Sequence, residues 1–113
     1  MPKYLFIFRD STAPRSQPSP EELQALQTAW YAWMQKYSSA IVGGDGLKPS
    51  GRLVKAGIVT DGPYVEAKEV IASFSIIQAD NYDAAVAIAK ECPGQDTANA
   101  CHRIEIRQLG GYA

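Results

Sequence analysis

Residues 3–9, KYLFIFR, are apolar on both parities of an extended chain. Tyr4, Phe6 and Phe8 fall on one side, Leu5 and Ile7 on the other. A strand apolar on both sides belongs in the middle of a sheet. Residues 10–20, DSTAPRSQPSP, read as a loop that ends in a helix start. Ser19 is placed to cap, Pro20 suits the first helical position, and Glu22 stands three after the cap. The helix predicted from there reaches about Tyr37. Leu23, Leu26, Trp30, Trp33, Met34 and Tyr37 make one apolar stripe along it. SSAIVGGDGLKPSGR (38–52) breaks the pattern and reads as turns. Two short β segments follow, about 53–55 and 57–60, around Gly57. VIASFSIIQA (70–79) is strongly polar on neither side and reads as a strand covered on both faces. Residues 80–94 predict a second helix, capped by Asp80 or Asn81 and stopped by Pro93-Gly94, with Val86, Ile88 and Ala89 inward. CHRIEIRQL (101–109) predicts a half-exposed strand. His102, Ile104 and Ile106 share one face, and Arg103, Glu105 and Arg107 the other.

The order is β, α, a split or hairpin-like β, β, α, β. That is the ferredoxin-like βαββαβ pattern of an α+β fold, in a single domain over 1–113. Its first and third strands lie centrally, and these are the two strands without a polar side. Two helices cover one face of the sheet only. An apolar second face left in water is a liability, and another copy of the chain is the simplest cover. The expectation is a homodimer packed sheet to sheet about a two-fold.

Composition narrows the function classes. The chain has 113 residues, 46% apolar and 20% charged, which suits a globular domain. The net charge of −1, with lysines and arginines never adjacent, argues against nucleic acid as a partner. Cys92 and Cys101 lack metal-site spacing, and His102 is the sole histidine. No metal and no cofactor are implied. Two reduced thiols in a cytoplasmic protein is the plain reading; a disulfide closing 92–101 is the alternative for an exported one. The apolar run from Tyr4 to Phe8 is too short for a signal core or a membrane span, so no membrane partner is expected.

VTDGPYVEAKEVIASFSIIQADNYDAAVAIAKECPG, followed by IEIRQL, resembles the YCII-related family, in particular the branch marked by an Asp-Gly-Pro-Phe motif (the DGPF domain). WYAWM and VGGDGL resemble that branch too. Tyr64 stands where the motif usually has Phe, keeping the ring and adding a hydroxyl. The resemblance implies a ferredoxin-like subunit of a dimeric α+β barrel. It also implies two kinds of activity. Some relatives are enzymes on small molecules, including a dehydrochlorinase, and use a His and an Asp as an acid–base pair. Others are linked with extracytoplasmic-function sigma factors, which implies a non-catalytic regulatory or interaction role. In the enzymes the histidine lies near the start of the first helix; here SPEELQALQ has none, so that dyad does not carry over.

The candidate site residues each have two readings. Asp61 would normally bond the backbone two residues on, but that residue is Pro63, which has no N–H. Its carboxylate is therefore a base or polar anchor, or it caps the following turn. Glu66 and Lys68 would share a face on a strand, beside Asp61 in one pocket or on a solvated edge; Glu69 extends the charged cluster. Arg9, at the end of the first strand, suits bidentate grip of a substrate carboxylate, or is a surface residue. Tyr64 joins Arg9, Glu66 and Lys68 as a substrate contact. His102 is a general base, with Asp61, or a packed histidine. Asp45, in the glycine-rich VGGDG, is a weaker candidate. Together these point to a small organic molecule bound between sheet and helices, with metal-free acid–base chemistry.

Overall fold

The computed structural model describes residues 1–11, 19–62, 69–93 and 102–111. Strand β1 (Lys3–Ser11) leads to helix α1 (Pro20–Lys36). Strands β2 (Ile41–Gly46), β3 (Gly51–Lys55), β4 (Ile58–Gly62) and β5 (Glu69–Gln78) follow. Helix α2 (Tyr82–Lys90) and strand β6 (His102–Gln108) close the order. Both helices start as their capping residues require. Ser19 Oγ accepts from Glu22 N at 3.1 Å, and Asn81 Oδ1 from Ala84 N at 2.9 Å.

The main sheet runs β2-β5-β1-β6, antiparallel throughout, with β1 and β5 central. This is the ferredoxin-like strand order of an α+β fold. Cross-strand partners share a face. Phe6 stands opposite Ser75 and Ile106, Phe8 opposite Ile104, and Tyr4 opposite Ile77. That side carries the core: Tyr4, Phe6, Phe8 and Ile77 are buried with Trp33 of α1 and Ala85 and Ala89 of α2. Leu5 and Ile7, with Ile76, Phe74, Arg107 and Glu105 as partners, line the opposite face. Those six are half-buried or exposed, and no helix packs over them among the described residues.

Aromatic edges bind the first helix to the sheet. Phe8 meets Trp30 at 5.6 Å between ring centroids, and Trp30 meets Trp33 at 5.7 Å. Trp33 Nε1 donates to the Ile88 carbonyl at 3.1 Å, which ties α1 to α2. At the other end of α1, Gln78 N donates to Ala40 O, and Gln78 lies opposite Lys3. So α1 runs antiparallel to β1: Trp30 marks the end near Phe8, and Ala40 the end near Lys3.

Three sequence expectations change. VGGDG, read as turns, is edge strand β2. A Cβ on Gly44, where φ is +147°, would fall 2.5 Å from the Phe74 carbonyl oxygen. The glycine marks close approach of two strands rather than a turn. The segments expected around 53–55 and 57–60 are not part of the main sheet. They form a separate β3–β4 hairpin, turned through Ala56 and Gly57 at φ 51° and 77°, as a two-residue hairpin loop demands. Finally, β1 runs past Arg9 to Ser11, because β5 and β6 continue beside it: Asp10 pairs with Val70 and His102, and Ser11 with Glu69.

Candidate functional site

Backbone pairing gathers several candidates at one end of the main sheet. Arg9 and Asp10 close β1, and β6 opens beside them, with Arg103 opposite Arg9 and His102 opposite Asp10. Arg9 and Asp10 alternate, so they serve different faces. Arg9 lies on the open face, where its Nε and Nη2 donate to Glu105 Oε1 at 3.2 and 3.1 Å. Arg107 Nη1 stands 3.5 Å from Glu105 Oε2. Glu105 is thus bracketed by two guanidiniums, and the carboxylate Arg9 grips is one of the chain's own. Asp10 follows Phe8 in parity and belongs to the helix-covered face.

Helix α1 overhangs this end. At 1.5 Å per residue, Leu26 and Leu23 stand about 6 and about 10 Å before Trp30 along the helix. At about 3.3 Å per residue, Asp10 and Ser11 stand about 7 and about 10 Å beyond Phe8. Leu26 and Leu23 therefore come level with Asp10 and Ser11. Yet both leucines are exposed, while Trp33 on the same stripe is buried.

Asp61 is elsewhere. It stands opposite Arg52 in the hairpin, with Arg52 Nη1 3.5 Å from Oδ1, and its side chain is 92% exposed. Asp61 and Gly62, expected in a corner, are the last residues of strand β4. Tyr64, Glu66 and Lys68 lie outside the described residues, as does Cys101; Glu69, just after them, sits opposite Ser11. Asp45 Oδ1 accepts from Gly46 N at 2.8 Å on exposed edge strand β2. The structure places Arg9 and His102 at the same sheet end and does not bring Asp61 into contact with either. Asp10 is a candidate that sequence reasoning misses. The Ser- and Pro-rich run it begins reads as a loop, and only the β1–β6 register sets it beside His102.

A different opening, of about 440 Å³, lies between the last turns of the helices, lined by Trp33, Lys36, Lys90, Glu91 and Cys92. Lys36 Nζ and Glu91 Oε1 pair across it at 2.6 Å. Burial pushes the Cys92 thiol up to about 12, so it is protonated at neutral pH and a poor nucleophile. Among the described residues, no group of three or more His, Cys, Asp or Glu could hold a metal ion. No described helix is long and apolar enough to cross a membrane.

Comparison with known proteins gives one family. The YCII-related domain matches residues 3–109, nearly the whole chain. No curated protein matches it.

Proposed function

The chain belongs to the YCII-related domain family, and we propose that it is a homodimer that binds a small organic molecule at the Asp10–His102 end of the sheet. The observation that carries this is the pairing of Asp10 with His102 at the level of the exposed Leu23 and Leu26 of α1. An apolar wall above a few polar groups is the usual make-up of a small-molecule site. A carboxylate next to an imidazole supports proton transfer near neutral pH without a metal. The ligand class is an apolar body, aromatic or branched, bearing a group that gives or takes a proton. The second copy would cover the open face of the sheet, where Leu5, Ile7, Phe74 and Ile76 have no layer above them among the described residues.

His102 is the sole histidine, so its ring gives one imidazole signal in a proton–carbon correlation spectrum. A panel of substituted phenols and aromatic carboxylic acids should contain members that move this signal and the Trp30 indole together. Asp10→Asn should shift the ring's titration to lower pH, since an anionic neighbour favours the imidazolium. If no member of the panel moves the histidine signal and Asp10→Asn leaves its titration unchanged, the reading fails.

A non-catalytic interaction role, with a sigma-factor pathway as one setting, is the second reading. The exposed apolar hairpin favours it. It predicts that His102→Gln alters no ligand response while hairpin substitutions abolish partner capture.

A further inference from the structure

Along β5 the sides alternate regularly for only part of its length. Ile77, Ser75 and Ser73 stand opposite Tyr4, Phe6 and Phe8, on the core side. Plain alternation would put Ile71 there next. The register shifts between Phe8 and Arg9 instead: Phe8 pairs with Ser73, and Arg9 already with Ile71. Ala72 is the extra residue, a β-bulge on β5. Its carbonyl accepts from Leu47 N at 2.8 Å, on the β2 side. Past the bulge the two sides of β5 exchange. Ile71 shares the open side with Arg9 and is 44% exposed, while Val70, half-buried, takes the core side opposite Asp10. The apolar residues on both parities of 70–79 follow in part from this, since the strand changes sides once.

Bulges end a pairing or re-aim a side chain, and they are common beside active sites. This one does not end the pairing, which runs on through Asp10–Val70 and Ser11–Glu69. Strand β6 has no shift beside β1, so only β5 is re-aimed. The result is one row, Val70, Asp10 and His102, on one side of three neighbouring strands. Strand β2 does not extend it, since its last pair with β5 is Gly46–Ser73. The row spans two strand spacings, about 10 Å. That suits a single aromatic ring with one substituent opposite its acidic group. We propose that Val70 is the specificity-determining residue of this site. It meets the para substituent of a monocyclic phenol or aromatic carboxylic acid whose ionisable group lies at Asp10 and His102. A β-branched side chain is held to few rotamers, so it gives that substituent a fixed contact, and Ile71 faces away. The assignment rests on the reading of this sheet end as a ligand site and adds which part of the ligand is selected, and by what.

The test compares two ligand pairs on the full-length chain, phenol with para-isopropylphenol and benzoate with para-isopropylbenzoate. Affinities come from the His102 imidazole signal, and the ratio within a pair cancels changes in fold or assembly. The isopropyl member should bind more tightly. Val70→Ala should cut that advantage about tenfold, the worth of two apolar carbons taken out of contact. Ile71→Ala should leave it unchanged. Val70→Thr, which keeps the branched shape but puts a hydroxyl in place of a methyl, should also lower it. Backbone nuclear Overhauser contacts in the ligand-free protein give a second readout and should join Asp10 to Val70 rather than to Ile71. An advantage that falls in Ile71→Ala instead, or contacts from Asp10 to Ile71, overturns the re-aiming. An advantage equal in wild type and all three variants overturns the role of Val70 and leaves the site standing. No response of the wild type to either pair, with the bulged register seen, overturns the site reading and the assignment that rests on it.

Discussion

From Trp30 onward, the three aromatic residues of the α1 stripe are packed, Trp30 against Phe8, Trp33 into the core and Tyr37 beside it, while Met34 among them stays exposed. Before Trp30 the same stripe, through Leu26 and Leu23, lies open. The periodicity is continuous, so the difference does not come from the helix. It comes from what stands beneath it. Beside the later half are the buried rings of Tyr4, Phe6 and Phe8, of which Phe8 meets Trp30; at the level of the earlier half β1 has reached Asp10 and Ser11. One helix thus packs two of its stripe residues into the core at one end and leaves Leu23 and Leu26 open at the other. Apolar periodicity marks a surface that wants cover, and does not say whether protein or ligand supplies it.

The largest effect should come from the packed half. Phe6 is fully buried and paired with Ser75 and Ile106. Phe6→Ala should cost about 3–5 kcal/mol, through lost transfer energy and the cavity left behind. That is a large part of the stability of a domain this size. Urea denaturation at fixed protein concentration measures it, and a cost below about 1 kcal/mol would mean that the core is not where the packing puts it.

The buried end also has a pH signature. The Cys92 thiol is pushed up to about 12 from 9.0 by burial. The unfolded chain therefore releases this proton at lower pH than the folded one. Stability linked to Cys92 is fully present below about pH 9 and is lost as pH rises from there through about 12. Wild type and Cys92→Ala should have parallel stability profiles from pH 6 to 8. Above pH 9 the wild type should fall more steeply. Parallel profiles throughout would show the thiol to be solvated.

The contact between the helices is a smaller lever. Trp33→Phe keeps an aromatic ring but removes the Nε1 bond to the Ile88 carbonyl. That carbonyl also accepts from Glu91 N, so it is not left without a donor. The cost should be about 1 kcal/mol, close to one net hydrogen bond. A cost of several kcal/mol would show that the larger indole, rather than its bond, fills the gap between α1 and α2.

Much of the packed region was legible in the chain. Ser19 and Asn81 are caps whose partners lie three residues on, and local signals of that kind survive without tertiary knowledge. The two-sided apolar pattern of β1 placed it centrally, and the register confirms that position. The glycine-rich β2 was not legible, because Gly43 and Gly44 look like turn residues until Phe74 is seen against them. At the candidate site, alternation placed His102 on a strand but could not set the pairing. Asp10 is nearly the whole chain away in sequence, and nothing local fixes which residue of β1 it meets. Asp61 misled for the opposite reason. Its neighbour Pro63 removes a local bond, which reads as a freed carboxylate, but Arg52 across the hairpin answers it in part.

The smallest effect on stability falls on the open half of the stripe, and it discriminates most. Leu26 and Leu23 are exposed, and alanine is a better helix former than leucine. Leu23→Ala with Leu26→Ala should change stability by no more than about 0.5 kcal/mol, as for surface positions without a special role. The same variant should lose the ligand-induced movement of the His102 signal, because the apolar wall is gone while Asp10 and His102 stay. A cost of 2 kcal/mol or more, in the range for truncating buried leucine, would show these side chains covered in solution by protein. Repeating the measurement across a hundredfold range of concentration then says by what. A cost that vanishes on dilution assigns the cover to a second copy, and a constant one assigns it to the chain itself. In either case the sheet end would be core, and the contrast between the halves of α1 would disappear with the site it implies.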